Sequence, residues 1–229
     1  MVRPMIELRT LGELQLQRSN RRELCAILAQ PKRLALLTYL AVSTRWQRRD
    51  SVVALFWPDL DTDHARGALR QALRFLRREL GHGVLNSRSE EELGFQRGTL
   101  WCDAAAFERA CDAGRLAEAL ELYRGDFLDG FFVSGAAPEF DQWVTAKRAR
   151  LKNLAVEAAR TCAERCAAQG DAAAAIRWAR WAFEVEPSPA TQALMQTVNG
   201  RAKPPARPES PELALARAWF SAGWCGSCA

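Results

Sequence analysis

The chain has 229 residues, of which 48% are hydrophobic and 26% charged, with a formal net charge of +5; that excludes global disorder and leaves room for one large domain or two small ones. The longest run free of Asp, Glu, Lys and Arg, Pro187 to Gly200, falls short of the roughly 20 apolar residues of a membrane span, and Arg3, Glu7 and Arg9 interrupt any secretory core, so a cytoplasmic chain with no membrane partner is expected. Charge is uneven: residues 1–100 carry 17 Lys and Arg against 11 Asp and Glu, whereas residues 101–190 carry 11 against 14, so the first half is built to approach an anion.

In chain order, Ile6, Leu8 and Thr10, then Leu14 and Leu16, alternate around Leu11-Gly12-Glu13 and predict a short hairpin. Pro31 opens a helix carrying Leu34, Leu37, Tyr39, Leu40 and Ala41. Asp50 to Trp57 reads as a short helix stopped by Pro58, and the turn after it offers Asp61 or Thr62 as the N-cap of the next helix.

That next helix, about Asp63 to Leu80, carries the central inference. At 100° per residue, Ala65, Leu69, Ala72, Leu73, Leu76 and Leu80 fall on one arc, which is core. Arg66, Arg70, Arg74, Arg77 and Arg78 fall on the opposite side, with Gln71 just beyond them. No Asp or Glu lies between His64 and Arg78, so the i,i+4 partners that neutralise an ordinary solvated face are missing. A plain soluble surface is the bland alternative. The preceding helix, tight turn and N-cap favour a recognition helix instead: arginine pairs with phosphate or binds guanine bidentately, and Gln71 can read adenine.

After Gly81 and Gly83, the segments Val84 to Arg88 and Leu93 to Arg97, continued by Leu100-Trp101, predict a β-hairpin wing. Its tip is Ser89-Glu90-Glu91-Glu92, and phosphate should turn these glutamates away. Arg88 and Arg97 lie near its ends, and Lys32, Arg33, Arg45, Arg48 and Arg49 are further phosphate candidates.

From Asp103 the chain becomes alanine-rich helix. Gly170, Ala175, Ala182 and Pro187, with Ala163 before them, match the spacing of one tetratricopeptide-like helix pair. A single pair cannot bury its own apolar face, so it must pack on helices at Ala104 to Tyr123 and Pro138 to Ala168. Trp143, Trp178 and Trp181 read as core, as do Cys162 and Cys166 in preference to metal ligands. The stretch Lys203 to Pro211 reads as a stiff linker. Beyond it Cys225 and Cys228, within Trp224-Cys225-Gly226-Ser227-Cys228, look like a redox pair without the helix that would activate it.

Catalytic patterns fail on their chemistry. None of Lys32, Lys147, Lys152 and Lys203 follows a glycine, which excludes a phosphate-binding loop. Asn86 stands where a dinucleotide fingerprint opened by Gly81 and Gly83 needs its third glycine. Asp59, Asp61 and Asp63 imitate a calcium loop, but His64 and Arg70 replace its glycine and closing glutamate. With two histidines in the chain, a catalytic triad has few candidates for its base. No enzyme activity, cofactor or metal is expected.

The run Leu55-Phe56-Trp57-Pro58-Asp59, then Arg66, Ala68 to Leu73 and Leu76 to Leu80, resembles the OmpR-type winged helix-turn-helix of the antibiotic-regulatory (SARP) class of bacterial transcriptional activators. Ala119 to Phe131 and Glu139 to Val144 resemble the bacterial transcriptional activator domain that follows it in that class. The resemblance implies DNA binding as a dimer or tandem protomers on direct repeats, with Asp59, Leu60, Asp61 and Thr62 facing RNA polymerase. It also implies a shortened activator domain, because the segment beginning Glu186-Pro187 arrives one helix pair early.

The expected fold is therefore mostly α with small β: a winged helix-turn-helix over residues 1–102, an all-α TPR-like helical domain over 103–200 and a tail over 201–229. The expected function is sequence-specific regulation of transcription on double-stranded DNA. A helical-repeat adaptor for a protein partner, and a thiol-responsive regulator acting through Cys225 and Cys228, are the alternatives.

Overall fold

In the computed structural model, residues 6–43, 45–89 and 91–202 are described; Cys225, Cys228 and the proline-rich linker lie outside them. The opening alternation forms β1 (Ile6–Arg9) and β2 (Gln15–Arg18), antiparallel with Leu8 opposite Leu16. Ile6, Leu8 and Leu16 point inward and are fully buried. A single-turn helix α1 (Cys25–Leu28) leads into α2 (Pro31–Ser43), which buries Leu34 to Thr38 and Leu40 to Val42 and so forms the centre of this half. A two-residue strand β3 (Gln47–Arg48) precedes α3 (Arg49–Phe56).

The helix α4 (Thr62–Leu80) begins where its cap allows. The Asp61 side chain accepts hydrogen bonds from the backbone N–H groups of Asp63 and His64, satisfying two donors that no helical carbonyl can reach. Its buried residues are Ala65, Leu69, Ala72, Leu73, Leu76 and Leu80, the six that the wheel places together. Gly81, at φ +105°, ends it, and Arg18 donates to the terminal carbonyls of Glu79 and Leu80.

The wing is β4 (Leu85–Arg88) and β5 (Glu92–Phe95), with Ser87 opposite Leu93. Its composition differs from the expected one in two ways. Leu100 and Trp101 do not belong to it: Gly98, at φ +80°, turns the chain, and β6 (Leu100–Cys102) joins β1 in parallel. The wing takes β3 as its third strand instead, so the two sheets run β2-β1-β6 and β3-β5-β4. Together with α2, α3 and α4 this is a winged helix-turn-helix.

The second half is helical: α5 (Asp103–Asp112), α6 (Leu116–Leu122), α7 (Pro138–Ala168), α8 (Ala172–Val185) and α9 (Pro189–Ala202). Gly170, at φ +81°, turns α7 into α8, and Asp171 caps α8 through the Ala174 N–H. Ala163, Ala175 and Ala182 are fully buried, since small side chains let the two axes approach. Cys162 is buried and Cys166 half-buried; burial, and then the neighbouring Cys166, pushes the Cys162 thiol up. Among the described residues no three His, Cys, Asp or Glu side chains are placed to hold a metal ion. No helix there is long and apolar enough to cross a membrane.

Both halves share one apolar cluster, from Ile6 to Ala182. Aromatic rings knit it: Phe56 of α3 lies 5.1 Å from Phe140 of α7, and Tyr39 of α2 lies 5.0 Å from Trp143. Polar contacts finish the seam. The buried Asp103 carboxylate accepts the N–H groups of Thr10, Leu11 and Ala104 and the Thr10 hydroxyl at 2.7–3.0 Å. Beside it, Leu128 N–H donates to Thr10 O at 2.8 Å and Gly12 N–H to Asp126 O at 3.1 Å.

Candidate nucleic-acid interface

The polar face of α4 does not lie open on a convex surface. It forms one wall of a basin of about 1140 Å³, closed by the start of α3 and by the wing. Arg48, Arg49, Arg66, Arg70, Arg74, Arg77 and Arg78 all line it, joined by Ser89 of the wing tip and by His82 and Ser87, which the sequence did not single out. Gln71 is exposed on α4 outside that lining, and so are Arg88, the last residue of β4, and Arg97, beyond β5.

The arginine face is less empty of partners than expected. Arg66 Nη2 is 3.2 Å from Asp50 Oδ1, and Arg78 Nε is 2.9 Å from Glu79 Oε1. Arg77 straps the wing: its Nε donates to Leu85 O at 3.0 Å and its Nη2 to Ser87 Oγ at 2.9 Å. Arg49 Nη2 donates to the same Ser87 Oγ at 2.9 Å. Counting i,i+4 neighbours along α4 misses Asp50, which comes from α3, and Glu79, which is adjacent in sequence. Arg66 and Asp50 remain 52% and 68% exposed; a pair so hydrated is worth at most about 1 kcal/mol and exchanges readily for a phosphate. Arg70 and Arg74 are exposed and meet no carboxylate among the described residues.

Two further expectations change. Glu91 lines the basin and does not turn away, because β5 begins at Glu92 and Arg49 N–H donates to Glu91 O. Lys32 faces the helical half: its Nζ donates to Gly135 O at 2.6 Å and sits over the Trp57 ring, and burial lowers its pKa against the raising effect of Asp59. Arg33 keeps its place beside α4, stacked 4.1 Å over Phe75, with Arg78 at 5.2 Å from the same ring. Aromatic stacking of this kind fixes a guanidinium without neutralising it.

The turn between α3 and α4 exposes Asp59 and Leu60, the latter 45% accessible. Asp61 is engaged as the cap and holds His64 Nδ1 at 2.6 Å, while Thr62 is the first residue of α4. Behind this turn lies a second groove of about 870 Å³, floored by Val53, Trp57, Leu60 and Pro138 and edged by Asp50 and Glu139.

The family pattern of the bacterial transcriptional activator domain matches residues 92–188, from the last wing strand through α8. The chain carries a bacterial transcriptional activator domain. Over those residues the chain is similar to the activator domain of SARP-type regulators of transcription. No curated protein matches the chain. Among solved structures it is similar to Mycobacterium tuberculosis EmbR in complex with a low-affinity phosphopeptide. Identity is 18% over 95% of this chain and 71% of that one, with a TM-score of 0.46.

Proposed function

We propose that this SARP-type regulator binds double-stranded DNA sequence-specifically through the basin, with α4 in the major groove. The observation that carries this reading is the convergence of seven arginines on one concavity beside a 19-residue helix. Arg70 and Arg74, which have no carboxylate to exchange, read base edges, and Gln71 reads the adjoining position. Arg48, Arg49, Arg66, Arg77 and Arg78 neutralise phosphates, and Arg88 and Arg97 carry the wing along the neighbouring backbone. Residues 1–102 act as the reading domain and 103–200 as the activator domain. The turn from Asp59 to Thr62, beside its apolar groove, serves contact with RNA polymerase, and the helical half serves pairing of protomers on direct repeats.

The test is a titration of fluorescent duplexes, selected from fragments of the source genome, at several salt concentrations. Affinity should fall steeply with salt, because each neutralised phosphate releases a counterion. Arg70→Ala should weaken binding by about 1–3 kcal/mol and relax the preference at one base position. Unchanged affinity in that variant would remove α4 from the interface.

A further inference from the structure

Ser87 is a neutral side chain on which two basin arginines from different elements converge. Its Oγ accepts Nη2 of Arg49, from the first residue of α3, and Nη2 of Arg77, from the last turn of α4, both at 2.9 Å. It stands on β4, which Arg77 also grips at Leu85 O, and the wing is tied to α3 through the pairing of Arg48 with Glu92. Two cations drawn to one hydroxyl repel each other, and the oxygen that accepts from both offsets that repulsion.

We infer that Ser87 is a positioning residue: it holds Arg49 and Arg77 side by side as a two-pronged clamp for a single backbone phosphate, and couples the wing to the recognition helix. This inference rests on the DNA-binding reading above. The hydroxyl does not itself touch DNA. With it in place, both guanidiniums are aimed into the basin before the duplex arrives; without it, each loses one anchor and more of the ordering cost falls on binding.

The experiment uses the full chain and compares Ser87→Ala, Ser87→Thr and wild type for duplex affinity. Ser87 is exposed on its strand, so neither change threatens the core. Ser87→Ala should bind about 5-fold more weakly, the worth of one net hydrogen bond. Ser87→Thr, which keeps the oxygen, should bind within about 2-fold of wild type. In an Arg49→Ala, Arg77→Ala background at low salt, Ser87→Ala should cost nothing more, since the residue acts only through those two groups. Wild-type affinity in Ser87→Ala, an undiminished loss in the double background, or a threonine variant as weak as alanine overturns the assignment. A wild-type chain that binds no duplex withdraws the DNA-binding reading itself, which the Ser87 variants alone cannot do.

Discussion

Asp61 shows how one side chain sets both a helix start and a pH response. Its carboxyl is held below the ordinary 3.8, first by the backbone N–H of His64 and then by the His64 ring. A carboxylate whose folded pKa is depressed contributes stability above its unfolded value and loses it as pH falls through the folded one. The thermal midpoint of the wild type should therefore drop on acidification below 3.8. Asp61→Asn, which keeps an acceptor oxygen but does not titrate, should flatten the part of that drop due to the cap. Equal acid profiles by circular dichroism would show that the cap does not couple to stability. The cap was legible as a choice between two neighbours, and His64 was not, because a ring nitrogen three residues on becomes a partner only once the first turn is coiled.

At the scale of elements, long regular periodicity was readable and short or remote pairing was not. The 19 residues of α4 repeat their apolar positions often enough to assign every buried residue. Two-residue β3 has no period to detect, and β6 finds its partner β1 more than ninety residues earlier, beyond any local signal. For the same reason Asp50 was invisible as the partner of Arg66. Glycine turns show the limit most plainly. Gly125 would, as alanine, place a Cβ 2.9 Å from the Gly12 Cα, and both are backbone positions with nowhere to retreat. Gly125→Ala should destabilise the chain by about 1–3 kcal/mol in urea unfolding, the usual cost of overpacking. A midpoint equal to wild type would mean that the seam between the β1–β2 turn and the segment after α6 is looser than its geometry.

For the whole molecule, the question is whether the two halves behave as one. The apolar cluster crosses between them, and Asp103 adds four hydrogen-bonded groups at the crossing. Removing that carboxylate strands buried N–H donors of Thr10 and Leu11, so Asp103→Ala should cost about 3 kcal/mol or more. Its unfolding, and that of the wild type, should follow a single transition by both circular dichroism and tryptophan emission. Two separated transitions in the wild type would show the halves to be thermodynamically independent. Composition alone puts a boundary after residue 102, yet Asp103, the first residue past it, is bonded back into the opening hairpin, a pairing across more than ninety residues that no local pattern carries.

The rings of Tyr39, Phe56, Phe140 and Trp143 make the base of α7 inseparable from the seat of α4. If the first half binds duplex DNA as proposed, a lobe fused in this way has little swivel, and its compass bearing around the duplex follows from the reading head. Neighbouring copies would then present their lobes on a common side only when their sites are spaced by whole turns, and shifting one site by about 5 base pairs would send its lobe to the far side.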